Sequence, residues 1–311
     1  MDNTSVMVSI CCLTYNHAPY IRECLDGFLM QQVDFPIEII IHDDASTDGT
    51  QDILREYQEK YPDLFHLILQ TENQYSKGKN VVLDYIYPQI KGKYVASCEG
   101  DDYWIDPHKL QKQVGFLEAH PDYSVCCHCI KLYIQNEGVF REQEMQPRLR
   151  NKSFSFTLQL WTEFGGFFQT ASVVIRQECI DIKFLNSFQK CKDIHLFYSV
   201  LEYGKGYFFK DVMSVYRISG KGVWTSLPFK ERVLIGVETS YEIYQKRKNE
   251  FTKKWLAGYL GELVLFCIRK DKSLKKTLKT LPMIVDYCGY KGIGYVCQYI
   301  SKKLMNRYVL K

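Results

Sequence analysis

A group of acidic residues in the first third of the chain has the composition of a cation site. Glu99, Asp101 and Asp102 surround Gly100 directly after Lys93–Ala96, a segment whose composition predicts a short buried strand. Carboxylates this close repel one another unless a cation or several hydrogen-bond donors compensate. Oxygen ligands of this kind suit Mg²⁺ or Mn²⁺, which retain several waters and share their sites with a substrate's phosphates. The pattern predicts a metal site for a diphosphate, and the alternative is an acidic turn that caps the next helix.

Two further polar groups follow predicted strands. Val6–Leu13 is a nearly continuous apolar run, as expected of a parallel strand covered on both faces, and Thr14–His17 follow it. Ile37–His42 predicts a second strand and is followed by Asp43–Asp48. In open α/β sheets, ligands bind beyond the carboxyl ends of the strands. We therefore expect these two polar groups and Glu99–Asp102 to meet in one site.

The alternation of predicted strands and helices up to the acidic group indicates an α/β fold. Helices are predicted at about 19–31, 50–61 and 80–88, between strands that end near residues 13, 42, 69 and 98. This order implies a mostly parallel central sheet flanked by helices.

The pattern beyond the acidic group is less regular. The predicted elements are a helix at 110–119, strands at 123–134, 167–176 and 207–216, a loop at 137–153, a helix from Asp193 to about 203, a loop at 217–225 and mostly helices after Pro228. The strand at 167–176 carries a polar stripe at Gln169 and Thr170. We divide the chain into an α/β domain, residues 1–226, and a basic, mainly helical C-terminal extension, residues 227–311.

Composition and missing motifs argue against several classes of protein. The chain of 311 residues is 46% apolar and 24% charged, as in ordinary soluble globular proteins. It has no GxGxxG after the first strand and no GxxxxGK[ST], so dinucleotide-dependent redox chemistry and P-loop ATP hydrolysis lack sequence support. Its 12 cysteines without a secretory signal indicate a reducing compartment. Cys126–Cys129 favours a buried strand over a zinc site, because no second pair follows at zinc spacing.

Charge is distributed unevenly along the chain. Ile243–Lys311 contains sixteen Lys or Arg against four acids, whereas the whole chain carries +4. Apolar residues recur at helical spacing from Tyr295 to Leu304 beside basic residues, so this helix is predicted either to lie on an anionic membrane or to pack on the α/β domain. No apolar run is long enough to span a membrane. We expect a cytoplasmic protein with peripheral contact to the inner face of the plasma membrane and no nucleic-acid partner.

Three motifs, in order, resemble those of family-two inverting glycosyltransferases of the GT-A fold. They are Val8–Asn16, Asp43–Asp48 and Glu99–Trp104, and Asp193 with the segment Tyr216–Trp224 resembles the later part of bacterial members that build surface polysaccharides. The resemblance covers about residues 6–226. It implies the metal-dependent transfer of a sugar from a nucleoside-diphosphate sugar, with UDP as the expected nucleotide, to a hydroxyl of a glycan or lipid-linked acceptor in capsule or O-antigen synthesis.

The resemblance also implies roles for single residues on the nucleotide side. Asp43 would accept a hydrogen bond from a uracil-type base, Asp44 would support that turn, and Lys79 would lie near the base and phosphates. The other residues expected to contact the nucleotide sugar are Thr14, Tyr15, Asn16, Asp101, Gln169, Arg217 and Trp224. Trp104 and Trp224 are open to two interpretations, stacking on a sugar or anchoring the core.

The chemical roles implied by the resemblance fall on the carboxylates. Asp102 would be the direct metal ligand, Asp101 would face ribose or metal, and Glu99 stands where the family more often has Asp. Lys79, Lys221 or Arg217 would add positive charge beside the departing diphosphate. Asp193 would be the base that deprotonates the acceptor hydroxyl, and its alternative role is an N-cap of the following helix.

Two other interpretations stay open at this point. A nucleotidyltransferase also needs a nucleotide and metal-binding carboxylates on an α/β sheet, and it would release diphosphate from a nucleoside triphosphate. A catalytically silent sugar-nucleotide-binding domain would bind the donor without hydrolysing it. Glu99, and Ser219 where the family often has histidine, favour keeping this second alternative.

Overall fold

The computed structural model describes residues 5–145, 147, 149–164, 167, 169–220, 222, 226–267, 292–301 and 303. The chain forms two compact units, Met1–Gly220 and Lys221–Lys311.

The first unit is built on a 10-stranded mixed sheet with the order β3-β2-β1-β4-β9-β6-β10-β5, and β7 and β8 pair with β6 and β10. Its strands are β1 (Val8–Thr14), β2 (Ile37–Asp43), β3 (Phe65–Leu69), β4 (Tyr94–Ser97), β5 (Tyr103–Trp104), β6 (Tyr123–Ile134), β7 (Val139–Glu142), β8 (Phe154–Phe156), β9 (Val174–Arg176) and β10 (Lys205–Ile218). Its α-helices are α1 (Ile21–Leu29), α2 (Thr50–Lys60), α3 (Lys109–Ala119), α4 (Leu158–Phe164), α5 (Ile182–Leu185) and α6 (Asp193–Tyr203), and a π-helical turn spans Val82–Ile86.

The predicted parallel half of the sheet is confirmed. β1 pairs in parallel with β2 and β4, and β2 pairs in parallel with β3. Val8, Ile10 and Cys12 are completely buried, as expected for a strand covered on both faces. Thr14 lies opposite Asp43 in the β1–β2 register, so these two strands end side by side.

The other half of the sheet is mixed and corrects two sequence expectations. Among the described residues of the strand expected at 167–176, only Val174–Arg176 is a strand. Ser172 Oγ accepts the Gln169 N–H and donates to the Gln169 carbonyl, which folds Thr170–Ser172 into a 3₁₀ turn. The expected loop at 137–153 contains β7, which pairs with β6 as an antiparallel hairpin.

The segment Cys126–Cys129 forms part of β6, and Cys126 and Cys127 are completely buried. The buried-strand interpretation of this segment is therefore confirmed. Across the described residues, the clustered side chains with metal-ligand chemistry are Glu99, Asp101 and Asp102.

The second unit is helical over its described residues. α7 (Phe229–Arg247), α8 (Glu250–Phe266) and a helix at 292–301 enclose a core that includes Val237, Leu256, Leu260 and Val296. Tyr299 donates a 2.6 Å hydrogen bond to Glu262, so the apolar face of the terminal helix packs within this unit. Among the described residues, no helix combines the length and apolar character needed to cross a bilayer.

Candidate active site

The three carboxylates of the acidic group converge at the carboxyl edge of the sheet. The ligand atoms of Glu99, Asp101 and Asp102 all lie within 4.8 Å of one another. Gly100 makes this possible, because its N–H bonds to the Leu13 carbonyl at 2.9 Å and an added Cβ would lie 2.9 Å from Ile21 Cδ1. We call these three residues the acidic cluster.

Asp102 is the most deeply buried member of the acidic cluster. Its side-chain Oδ1 accepts the Arg217 backbone N–H at 2.8 Å, and Oδ2 has no hydrogen-bond partner among the described residues. Burial, with the charges of Glu99 and Asp101, raises the pKa of Asp102 well above its ordinary value. A buried carboxylate oxygen without a donor is costly, and a divalent cation would satisfy it. The donor set of the acidic cluster therefore fits a hard divalent metal ion.

The Glu99 carboxylate lies in the acidic cluster, although its side chain is longer than the Asp that the family more often has at this position. Burial raises the pKa of Glu99 to about 7, and the charges of Asp101 and Asp193 contribute. The Thr170 hydroxyl lies 3.4 Å from Glu99 Oε2 and donates to it. Asp193 therefore acts electrostatically on the acidic cluster, although 94 residues separate it from Glu99 in the sequence.

The guanidinium of Arg217 makes its contacts within the protein, and these contacts hold the acidic cluster in place. Its Nε donates to the Asp101 carbonyl at 2.9 Å, Nη1 donates to Gln135 Oε1 at 2.7 Å, and Nη2 pairs with Glu23. The rings around the guanidinium, at 4.8 to 5.3 Å, are Tyr20, Tyr103 and Tyr133. Three of the five guanidinium N–H groups thus have protein acceptors, and the expected role of Arg217 beside a departing diphosphate stays a prediction.

Asp43 and Asp44 organise two loops at the carboxyl end of β2. Asp43 is completely buried and accepts the Ser46 N–H at 2.9 Å and Gln51 Nε2 at 2.7 Å on the same oxygen. Asp44 accepts the backbone N–H groups of Gln74 and Tyr75, at 2.7 and 3.0 Å. Asp43 thus fixes the turn after β2, and Asp44 fixes the loop that leads to Lys79.

The end of β1 is joined to the same turn. Asn16 has a positive φ of 54°, donates its N–H to Ser46 Oγ at 2.8 Å and accepts the Thr47 N–H at 2.9 Å. The Thr14 carbonyl accepts the Asp44 N–H at 3.0 Å. The ring of Tyr15 is 47% exposed beside this buried network.

The loop held by Asp44 presents two exposed side chains. Tyr75 is 65% exposed, and Lys79 is exposed after the positive-φ residue Gly78. An aromatic ring and an ammonium group are therefore open to solvent on a loop whose backbone is fixed.

Asp193 is the first residue of α6. Its Oδ1 accepts the Ile194 N–H at 2.8 Å, so part of the carboxylate contacts the start of the helix. The residue is exposed to solvent at its surface, and the desolvation of its carboxyl by the surrounding protein raises its pKa above the ordinary value. Its second oxygen lies outside this contact and can accept a proton.

Tyr216 connects the two acidic regions and was named from the sequence only as part of a motif. Burial raises the pKa of its hydroxyl far above the ordinary value. The charges that add to this effect are those of Glu99, Asp102, Asp101 and Asp193. The charges of the acidic cluster and of Asp193 therefore all act on the Tyr216 hydroxyl.

The remaining predicted site residues have other positions. Gln169 begins the 3₁₀ turn that carries Thr170, the hydrogen-bond donor to Glu99. Trp104 is buried, and its Nε1 donates to the Ala171 carbonyl at 2.9 Å, so it anchors the core. Lys221 and Trp224 lie outside the described residues.

The family of the chain is shown by its sequence. The family model for glycosyl transferase family 2 matches residues 9–181, more than half of the chain. The protein therefore belongs to glycosyl transferase family 2, as the motifs predicted.

Two curated proteins illustrate the sequence similarity. The chain is 39% identical over 220 residues to the uncharacterized protein Rv1520 of Mycobacterium tuberculosis, covering 70% of this chain and 61% of that protein. It is 34% identical over 113 residues to the Escherichia coli UDP-Glc:alpha-D-GlcNAc-diphosphoundecaprenol beta-1,3-glucosyltransferase WfaP, covering 36% of this chain and 42% of that protein. The chain thus spans less than two thirds of the length of these relatives.

Structural similarity shows the fold. The crystal structure of S. aureus TarS 1–349 in complex with UDP-GlcNAc matches with a TM-score of 0.62 and 20% sequence identity, covering 95% of this chain and 82% of that chain. The predicted GT-A-like α/β fold is confirmed.

Proposed function

We propose that this protein is a metal-dependent inverting glycosyltransferase that moves a sugar from a UDP-sugar to a hydroxyl of a glycan or lipid-linked acceptor. The observation that carries the proposal is the closeness of the acidic cluster and Asp193, since the charge of Asp193 acts on Glu99 and both act on Tyr216. This arrangement offers a cation site for a departing diphosphate and, apart from it, a carboxylate that can accept a proton.

The acidic cluster is assigned to the leaving group. Asp102, Asp101 and Glu99 would hold Mn²⁺ or Mg²⁺, which when bound supplies the positive charge that stabilises a departing diphosphate. The Asp102 oxygen without a donor supports this assignment. Arg217 keeps the cluster in place through its contacts with Asp101 and Asp102.

Asp193 is assigned to the acceptor. The acceptor oxygen forms a bond to the anomeric carbon while the bond from that carbon to the diphosphate oxygen breaks, and the diphosphate leaves with the electron pair. The acceptor proton goes to the Asp193 carboxylate. Its raised pKa strengthens it as a base, and a positioned base contributes roughly 10²–10⁴-fold to the rate. Attack from the face opposite the diphosphate inverts the anomeric centre.

The nucleotide is assigned to the edge formed by the ends of β1 and β2. Tyr15 and Tyr75 are exposed rings on backbone that buried carboxylates hold in place, and an aromatic face can stack on a base. Lys79 is exposed on the same fixed loop and can approach a phosphate. The complex of TarS with UDP-GlcNAc supports uridine as the nucleoside.

A lipid-linked acceptor is the preferred class. The name of the WfaP relative specifies a sugar on diphosphoundecaprenol as its acceptor. The excess of Lys and Arg in Ile243–Lys311 would attract the extension to the anionic inner face of the membrane, where such an acceptor is found. Flotation of the protein with anionic and with neutral vesicles tests this part, and equal recovery with both would remove the electrostatic contact.

A panel of UDP-, GDP- and dTDP-sugars, each with Mn²⁺ or with chelator, tests the function. We expect one UDP-sugar to raise the melting temperature in Mn²⁺ and to release UDP slowly, and chelator to abolish both effects. Release of diphosphate from a nucleoside triphosphate would favour a nucleotidyltransferase instead. Donor binding without nucleotide release, even after prolonged incubation, would favour a silent binding domain.

A further inference from the structure

Tyr216 faces the side of the sheet opposite to Arg217. Neighbouring residues of a strand point to opposite faces, and Tyr216 and Arg217 are neighbours in β10. Arg217 shares its face with Tyr133, its register partner on β6, and with Tyr103, the register partner of Val215 on β5. Tyr216 therefore lies on the face opposite to Tyr133 and Tyr103.

The backbone next to Tyr216 touches the acidic cluster. The N–H of Arg217 belongs to the peptide bond formed by the Tyr216 carbonyl carbon, and it donates to Asp102 at 2.8 Å. The Tyr216 side chain therefore begins one peptide bond from the contact with Asp102, and it is half-buried. Among the residues that the structure describes, its hydroxyl has no hydrogen-bond partner.

We propose that Tyr216 contacts the transferred sugar, donating a hydrogen bond from its hydroxyl to an oxygen of that sugar between the diphosphate and Asp193. This inference rests on the proposed function and adds a residue to it. During transfer the anomeric carbon must lie between the departing diphosphate and the base, and Tyr216 extends from the strand position whose following N–H binds Asp102.

The chemistry of a phenol suits this position. The surrounding carboxylates are acceptors when ionised, whereas a sugar presents several oxygens that need donors. A phenol keeps its proton at neutral pH, so the Tyr216 hydroxyl is available as a donor.

The test compares ligands with and without the sugar. Tyr216→Phe removes the hydroxyl and keeps the ring. Affinities for UDP, and for the UDP-sugar that gives the largest thermal shift in the panel, are measured by calorimetry in Mn²⁺. We expect the variant to bind UDP as the wild type does, to bind the UDP-sugar about tenfold more weakly, and to release UDP from it more slowly.

Tyr207→Phe is the matched control. Tyr207 lies on the same strand, and its ring packs against Phe116 at 4.1 Å in an aromatic group that includes Tyr123. We expect this control to bind both ligands like the wild type.

Three results would overturn the role of Tyr216. The first is unchanged affinity and turnover for the UDP-sugar, and the second is an equal loss for UDP and UDP-sugar, which would mean that the hydroxyl supports the metal or nucleotide site. The third is a loss of the same size in the Tyr207 control. Failure of the wild-type protein to bind or hydrolyse any sugar nucleotide would instead overturn the proposed function.

Discussion

The backbone N–H of Arg217 donates a 2.8 Å hydrogen bond to Oδ1 of Asp102, across 115 positions of sequence. This bond joins the end of β10 to the acidic cluster and occupies one oxygen of the carboxylate. The other oxygen remains without a described donor and defines the point where a cation would bind.

Arg217→Lys is expected to weaken both the fold and the metal site. Lysine keeps the charge but loses the planar fork that reaches Asp101, Gln135 and Glu23 together. The free energy of unfolding should fall by about 2 kcal/mol or more, because hydrogen bonds of a largely buried guanidinium are lost. Urea denaturation and a Mn²⁺ titration followed by thermal shift measure the two effects.

The matched control for this change is Arg22→Lys. Arg22 pairs with Glu56 in an exposed bidentate contact, so its replacement should leave the free energy of unfolding nearly unchanged. If both variants behave alike, the contacts of Arg217 do not support the acidic cluster.

Asp102→Asn is expected to stabilise the metal-free protein while removing metal binding. Burial and the nearby carboxylates raise the pKa of Asp102, so its ionised form opposes folding at neutral pH. The amide removes that charge and still offers an oxygen to the Arg217 N–H. The melting temperature without metal should rise, by about 2–4 °C for each kcal/mol gained, and the Mn²⁺-induced shift should disappear.

Asp106→Asn provides a control of opposite sign. Asp106 accepts Lys112 Nζ at 2.6 Å and the His108 N–H at 2.8 Å, so neutralising it should lower the melting temperature and leave the Mn²⁺ shift intact. A persistent Mn²⁺ shift in Asp102→Asn would contradict the metal assignment.

How far the sequence predicts the fold depends on how local the responsible interactions are. The apolar runs of β1 and β2 predicted the parallel strands, because burial on both faces leaves a simple composition. The hairpin strand Val139–Glu142 was not predicted, because all its residues are exposed and its sequence does not alternate between apolar and polar residues. The turn at Thr170–Ser172 was not predicted either, because it depends on one hydrogen bond from the Ser172 hydroxyl to the backbone.

The candidate site shows the same division. The acidic cluster is contiguous in sequence and was predicted from it. The structural role of Arg217 was not, because its partners Gln135 and Glu23 lie 82 and 194 positions away. Which face Tyr216 occupies likewise depends on the register of β10 against β6.

Lys109 gives a prediction for the pH dependence of stability. Its ammonium is completely buried without a described hydrogen-bond partner, 4.0 Å from the Trp104 ring, and burial lowers its pKa from 10.5 to about 7. Between these values the unfolded chain binds a proton that the folded protein lacks, so this group makes stability rise with pH. Lys109→Met should remove that rise and stabilise the protein at pH 7 and below.

Urea denaturation at several values from pH 7 to pH 10 measures the effect. Lys112→Met is the control, since Lys112 is exposed and pairs with Asp106. The same pH slope in Lys109→Met and in the wild type would show that the buried ammonium is not the source of the slope.

The role of Asp193 is the central claim, and Asp193→Asn tests it most directly. The amide keeps an oxygen for the Ile194 N–H at the start of α6 but cannot accept the acceptor's proton. The measurement is UDP release from the selected UDP-sugar, beside calorimetric binding of that sugar nucleotide in Mn²⁺. The account predicts release slowed by roughly 10²–10⁴-fold with unchanged binding. Release at the wild-type rate would contradict it.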